Sequence, residues 1–243
     1  MTEAGEGGVP VLFVHGNGGN RTQWAAQQAH LKQRSVAFDM RGMGESERDV
    51  AGRYGCGDMA EDVEAVVEAL GWERFVLVGH SFGGAVVGTY AARHPERLAG
   101  LVFADAGGDM RGSPEEEIAL YRKGLKPETY EAFTQQWFDA ILRGARPETY
   151  RQVMASLRAT PRQVFMEAFW SMVAYDPYPA LRNYKGPKLS IVAGFLLPSL
   201  GDKALHRLVQ DLPYRVLSGV SHWLMMDAPE AFNAELDAFL KHG

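Results

Sequence analysis

A single cysteine, Cys56, occurs in the 243 residues, so no internal disulfide can form and the fold does not depend on an oxidising compartment. Cys56 reads as a partly buried free thiol. Positive charge is also scarce. Twenty-five Lys and Arg face 30 Asp and Glu, a formal net charge of −5, which supplies no field to gather a polyanion and excludes nucleic acid as a natural partner. Long apolar runs are missing: the longest stretch without a charged residue, Phe75 to Ala92, carries His80, Ser81 and several glycines, unlike a membrane span. The N-terminus has no apolar signal core. No His and carboxylate cluster has metal-ligand spacing, and no cofactor is called for. The expectation is a cytoplasmic protein without a membrane span, a monomer or small homo-oligomer.

What is present is a chain able to bury a sizeable core, 46% hydrophobic and 23% charged, long enough for one large domain or one domain with an insertion. Val9 to Val14 is a continuous apolar, β-branched run ending in His15-Gly-Asn-Gly-Gly19, as a strand buried on both faces would. The polar, Gly-rich tail before it is expected to be mobile. Val36 to Phe38, Phe75 to Val78, Leu98 to Ala104, Leu189 to Ala193 and Tyr214 to Leu217 read as further strands. Helices alternate with them: Trp24, Gln28 and Leu31 share one face, Val63, Val66, Val67 and Leu70 another, and Phe232, Leu236, Phe239 and Leu240 a third. That alternation predicts an α/β fold, a mostly parallel, doubly wound sheet with helices on both faces. From about Gly108 to Pro179 the rhythm breaks into four helical stretches with Pro114, Pro127, Pro147 and Pro161 at their starts. The predicted organisation is a core of residues 1–107 and 181–243 with a helical cap, 108–180, inserted between two strands.

Gly79-His80-Ser81-Phe82-Gly83 follows a strand directly and opens a helix, the setting of a nucleophile elbow, which holds a serine hydroxyl clear of the backbone. A serine needs a base to take its proton, and the best candidate is His222, in Gly219-Val-Ser-His222 just beyond the last strand. His30, His94 and His206 fall within or at the ends of helices and His242 in the tail, so they read as surface or capping residues.

With these motifs in place, the chain resembles the α/β-hydrolase fold family, in its single-cap subgroup of serine, carboxylesterase-like enzymes. The residues that carry the likeness are His15 to Gly19, Asp39-Met-Arg-Gly-Met-Gly-Glu-Ser46, the elbow at Ser81, the helical insertion and Gly219 to His222. The resemblance implies a Ser-His-acid triad and an oxyanion hole built from the backbone N–H groups of Phe82 and Asn17. The family's first antiparallel edge strands are missing or reduced here, which predicts a sheet of about six strands. The usual position of the acid, after the penultimate strand, is aliphatic in Gly194-Phe-Leu-Leu-Pro-Ser-Leu-Gly-Asp202. Two carboxylates could orient His222 instead: Asp105, at the end of the strand Leu98 to Ala104, and Asp202, which keeps the usual loop but arrives late. Asp105 is preferred, with a polar strand cap as its plain structural reading. Relatives that use an aspartate nucleophile for dehalogenation or epoxide opening are set aside, because Ser81 offers no carboxylate. Asp39, Arg41 and Met43 read as a structural loop held by an internal ion pair or hydrogen bonds.

The insertion is rich in aromatics, from Tyr130 and Phe133 through Trp137, Phe138, Phe165 and Phe169 to Trp170 and Tyr175. Most are expected to form the cap's own core, while some, with Trp137 and Trp223 as substrate-binding candidates, roof the serine. The expected function is cofactor-independent hydrolysis of carboxylic esters, lactones among them, of small to medium apolar substrates by way of an acyl-enzyme on Ser81. Same-fold lyase, C–C hydrolase or perhydrolase chemistry and a non-catalytic small-ligand sensor are the alternatives. A metal hydrolase has no ligand set to support it.

Overall fold

The computed structural model describes residues 1–208 and 212–242, the side chains of residues 199, 200, 202 and 242 excepted. Seven strands form one sheet: β1 (Thr2–Ala4), β2 (Val11–Val14), β3 (Ser35–Phe38), β4 (Phe75–His80), β5 (Leu98–Ala104), β6 (Lys188–Ala193) and β7 (Tyr214–Leu217). Their order is β1-β3-β2-β4-β5-β6-β7, with every pair parallel except β1 and β3. β3 is laid on one side of β2 and β4 on the other. The strand order therefore reverses at β2, and the crevice for a ligand lies beyond the carboxyl ends of the strands there.

Each central strand is buried on both faces, and its alternation sorts its side chains between two cores. Leu12, Val14, Leu77 and Phe103 point towards α2 (Cys56–Ala69) and α3 (Phe82–Arg93), where Val63, Val67, Val86 and Tyr90 complete the packing. Val11, Phe13, Val78 and Ile191 point the other way, towards α1 (Ala25–His30) and the C-terminal helices. There the Trp24 ring stacks on Phe13 at 4.8 Å between centroids. The doubly wound, mostly parallel α/β sheet is the architecture that the alternation of elements predicts.

Two features of the N-terminus differ from expectation. The tail is not the unpaired segment its composition predicts, since Thr2, Glu3 and Ala4 pair with Ala37, Val36 and Ser35. The sheet accordingly has seven strands rather than six. A three-residue strand gives almost no pattern in sequence; it is held by backbone pairing and by Gln28, whose Nε2 donates to the Thr2 carbonyl, while Arg34 pairs with Glu3.

Between β5 and β6 lie α4 (Glu115–Gly124), α5 (Tyr130–Ile141), α6 (Pro147–Ala159), α7 (Arg162–Val173) and α8 (Tyr178–Asn183). Pro147 opens α6, and Pro114 and Pro161 immediately precede α4 and α7, where the missing N–H costs nothing. The expected boundary at residue 180 falls inside α8, whose Ala180 and Leu181 belong to the core around α3. The chain closes with α9 (Leu197–Leu200), α10 (Leu205–Leu208), α11 (Leu224–Asp227) and α12 (Pro229–His242). Among the described residues no helix is long and apolar enough to cross a membrane.

The start of α3 lies directly against the end of β2. A Cβ at Gly83 would sit 2.4 Å from the His15 carbonyl oxygen and 2.7 Å from that of Val14. Backbone on both sides leaves no room to yield, and overpacking costs typically 1–3 kcal/mol. Gly83→Ala is expected to lower stability by about 3 kcal/mol, read as a drop in the urea midpoint at an unchanged m-value; an unchanged midpoint would show that α3 can move away from β2 freely.

Candidate active site

Ser81 is the one residue between β4 and α3. It adopts φ 53°, ψ −120°, a conformation that costs a non-glycine residue of the order of 1–3 kcal/mol and that the surroundings must impose. They do so through its N–H, which donates to the Ala104 carbonyl at 3.0 Å, and its carbonyl, which accepts from the Gly84 N–H at 2.8 Å. The hydroxyl makes no hydrogen bond among the described residues. It lines an internal cavity that His222 also lines, and hydrogen bonds of this kind commonly tighten only around a bound substrate.

Asp105 is the other non-glycine residue at positive φ among the described residues, at 44°. It ends β5 with its side chain almost wholly buried (3% exposed). Its Oδ1 accepts the Ala193 N–H at 2.8 Å, and its own N–H donates to the Ile191 carbonyl at 2.7 Å. These two bonds turn Oδ2 towards His222, whose Nδ1 lies 2.7 Å away. Because a carboxylate only accepts, Nδ1 carries the hydrogen in this pair, leaving the Nε2 lone pair free to receive a proton. The other candidate carboxylate, Asp202, has its side chain outside the described residues.

Two residues whose backbone N–H groups have no acceptor among the described residues line the same cavity. Phe82 opens α3, so its N–H has no acceptor within the helix and sits at the positive end of the helix dipole. Asn17 occupies the second position of a turn closed by the Gly19 N–H donating to the Gly16 carbonyl at 3.0 Å. Gly18 follows at φ 71°, the left-handed value this turn requires at its third position. The turn bond leaves the Asn17 N–H unused. The Asn17 side chain points elsewhere, its Nδ2 donating to the Phe165 carbonyl of α7 at 2.9 Å. Asn20 Nδ2 donates to Ser156 Oγ at 2.8 Å and Gln152 Nε2 to Thr22 Oγ1 at 2.8 Å, so this turn is fastened to α6 and α7.

Two further histidines lie beneath the site, fully buried. His80 Nε2 donates to the His222 carbonyl at 2.9 Å, and its ring packs 4.7 Å from that of His222. Burial, then repulsion from a charged His222, holds His80 well below the usual histidine range. His15 is lowered too, chiefly by burial; its Nε2 accepts the Met40 N–H at 3.0 Å. Both rings are neutral polar struts near neutral pH.

The cavity has a volume of about 170 Å³. Trp137, Phe138, Phe165 and Phe169 line it from the cap and Trp223 from beside His222, with Asp105 the single acidic or basic side chain other than histidine among its lining residues. Trp137 packs edge-on against Phe169 and Phe165, at 5.3 and 6.0 Å, while Trp223 is 5.2 Å from His222 and 5.6 Å from Phe138. Phe133 and Trp170 pack within the cap instead. Among the described residues no group of three His, Cys, Asp or Glu side chains could hold a metal ion.

The structure gathers Ser81, His222, Asp105, Asn17, Phe82, Trp137 and Trp223 around one cavity. Sequence reasoning overlooked His80 and Asp227. A histidine closing an apolar strand and an aspartate following Leu224-Met-Met226 are the signals that would have found them, because a polar group in an apolar run must meet partners. Asp39 and Arg41 are held by ion pairs and hydrogen bonds: Asp39 pairs with Arg21 and accepts the Arg21 and Glu45 N–H groups at 2.7 and 3.0 Å, while Arg41 pairs with Asp62.

A parallel sheet that presents a serine on a strained strand-to-helix turn, a histidine bonded to a buried carboxylate and two free N–H groups defines a class. The chain belongs to the alpha/beta hydrolase fold family, whose model matches residues 9–186. Membership places it among the hydrolases. It is 28% identical over 246 residues to the putative carbamate hydrolase RutD of Caulobacter vibrioides, an alignment covering 95% of this chain and 90% of that one. At the same 28% identity it matches the dihydrolipoyllysine-residue acetyltransferase component of the acetoin cleaving system of Pseudomonas putida, covering 98% of this chain but spanning only 65% of that protein's length. Among solved structures it is similar to Est816, an N-acyl homoserine lactone degrading enzyme, with a TM-score of 0.83, 26% identity and coverage of 98% and 95%. A thermophilic esterase from Thermogutta terrifontis gives a TM-score of 0.81 at 25% identity, covering 99% of this chain and 92% of that one.

The buried histidines make stability depend on pH. The unfolded chain binds a proton at each near pH 6.5, whereas the native state resists it, so their contribution is complete above about pH 6.5 and declines below it. The decline is up to about 1.4 kcal/mol per pH unit for each ring until its folded pKa is reached. The urea midpoint is expected to fall between pH 7 and pH 5, and His80→Gln, which keeps a donor for the His222 carbonyl, to make that fall shallower. An equal slope in the variant would mean that His80 takes up its proton without unfolding.

Proposed function

We propose that this protein is a cofactor-independent serine hydrolase that cleaves carboxylic esters, lactones among them, of small to medium apolar substrates. The observation that carries the reading is the 2.7 Å bond between His222 Nδ1 and the buried Asp105 carboxylate, on the wall of a cavity that Ser81 also lines. A histidine so held presents Nε2 as a base in the correct tautomer, which is the role of the acid in such a triad. A passive ligand sensor has no need of an oriented base, so the same bond favours the hydrolase reading over it.

In this reading the Ser81 hydroxyl attacks the ester carbonyl as His222 Nε2 takes its proton, and the imidazolium then protonates the departing alcohol. Water, deprotonated by the same nitrogen, releases the acid from the acyl-serine. The Phe82 and Asn17 N–H groups receive the oxyanion, each worth on the order of 3 kcal/mol. They belong to a helix start and a closed turn, so no reorganisation accompanies the reaction. An apolar cavity of about 150 Å³ accommodates a benzene-sized ligand. The volume of about 170 Å³ found here favours short acyl chains or a single ring, and among the described residues its lining holds no Lys or Arg to pair with a substrate carboxylate. Trp137 and Trp223 supply the flat apolar walls.

The test is hydrolysis of a p-nitrophenyl ester series from acetate to decanoate. Turnover is expected to peak at short chains, to vanish in Ser81→Ala and His222→Ala, and to fall by about 10⁴ in Asp105→Asn, in which the imidazole is no longer held in its reactive tautomer. Circular dichroism checks each fold. Wild-type rates in Asp105→Asn would remove that residue from the triad, and an inactive wild type on every ester would shift the reading to C–C or lyase chemistry.

A further inference from the structure

Outside the groups discussed so far, the most heavily bonded polar side chain near the cavity is Asp227, at the end of α11 and 7% exposed. Its Oδ2 accepts both the N–H of Ser221, at 2.9 Å, and the Ser221 hydroxyl, at 2.5 Å. Its Oδ1 accepts the Arg146 N–H at 3.0 Å, from the residue just before α6. Ser221 Oγ in turn accepts the Trp223 N–H at 3.2 Å. One carboxylate thus grips the residue before His222 directly and the residue after it through a single hydroxyl.

The cap meets the same loop a second time. The His222 N–H donates to the Ile141 carbonyl at 3.0 Å, an acceptor that the end of α5 leaves without a helical partner. The turn between α5 and α6 therefore commits one carbonyl to His222 and one N–H to Asp227. With His80 Nε2 on the His222 carbonyl and Asp105 on Nδ1, the backbone and ring of His222 are fixed from four directions. A buried carboxylate with three donors keeps its place only while those donors stay, since unpaired it would be costly to bury.

We propose that Asp227 is a positioning residue for His222, and that through it the α5–α6 turn of the cap forms part of the support of the base. The inference rests on the reading of His222 as the proton acceptor. Asp227 reaches no substrate atom in this assignment; it acts by holding the imidazole in register with Ser81, where a displacement of about 1 Å costs on the order of 100-fold in rate.

The experiment compares wild type, Ser81→Ala, His222→Ala, Ser221→Ala and Asp227→Asn on p-nitrophenyl butyrate, with the low-field proton resonance of His222 Nδ1–H recorded for each folded variant that retains His222. An amide at 227 keeps a single acceptor oxygen and sets its NH2 against either the Ser221 or the Arg146 N–H, so Asp227→Asn is expected to lower kcat by roughly 10- to 100-fold with KM within about twofold, and to shift or broaden the resonance. Ser221→Ala keeps its own N–H bond to Asp227 and is expected to lose about threefold in kcat with a smaller shift; if Asp227→Asn does not fold, this variant alone decides. Wild-type kcat, or a loss of kcat with an unmoved resonance, overturns the inference, because the base would then be held without Asp227. Wild-type turnover in Ser81→Ala and His222→Ala overturns the catalytic reading itself, and the inference with it.

Discussion

A buried hydrogen bond of 2.7 Å joins His222 to Asp105 across 117 residues of sequence, and the geometry of the cavity is organised around it. One end is set by the sheet: Asp105 leaves β5 at a positive φ and takes its orientation from the β6 backbone at Ile191 and Ala193. The other end is set by loops: His222 follows β7 and depends on His80, Ile141 and the group around Ser221 for its position. A hydrogen bond to a charged acceptor contributes about 1.5–3 kcal/mol, enough to fix one rotamer but not enough to hold two loops together unaided. The surrounding bonds serve that purpose, and the strain at Ser81 and Asp105 is carried by the same framework.

The central strands were legible because Val11 to Val14 and Leu98 to Ala104 are continuous apolar runs, which only a sheet covered on both faces accommodates. The elbow was legible because the glycines around Ser81 fall between a strand and a helix. β1 was not, since three polar-flanked residues carry no period, and its existence depends on pairing with β3. Asp105 could be narrowed to one of two carboxylates by its place at a strand end, but its orientation comes from β6, more than 80 residues downstream. The loop of Asp39 and Arg41 reads as a structural one held by an ion pair or hydrogen bonds, but its partners, Arg21 and Asp62, lie 18 and 21 residues away and carry no signal in the local sequence. Asp227 and His80 went unnoticed because most of their partners are backbone groups, which leave no mark on residue identity.

Residues 115–183 are more than a roof. The aromatic side chains of α5 and α7 wall the cavity, while the polar groups of α6 and α7 fasten the turn at Asn17 and Asn20. The α5–α6 turn fastens the His222 loop on the opposite side. Apolar contact and polar anchoring thus come from the same few helices, and Phe165 supplies both, its ring to the cavity and its carbonyl to Asn17.

The bonds from the cap to the Asn17 turn span 148, 136 and 130 residues, and such long loops close late because their chain entropy is lost before the contact repays it. Pairing of β4 with β5 by itself supplies the Ala104 carbonyl that holds the Ser81 N–H. The turn at Asn17 and the loop carrying His222 gain their remaining hydrogen bonds only when the middle of the chain has docked. On this order of events the geometry around the cavity is a late arrival in folding and an early casualty of partial opening, so a molecule can be native by its backbone spectrum and still lack the settled site.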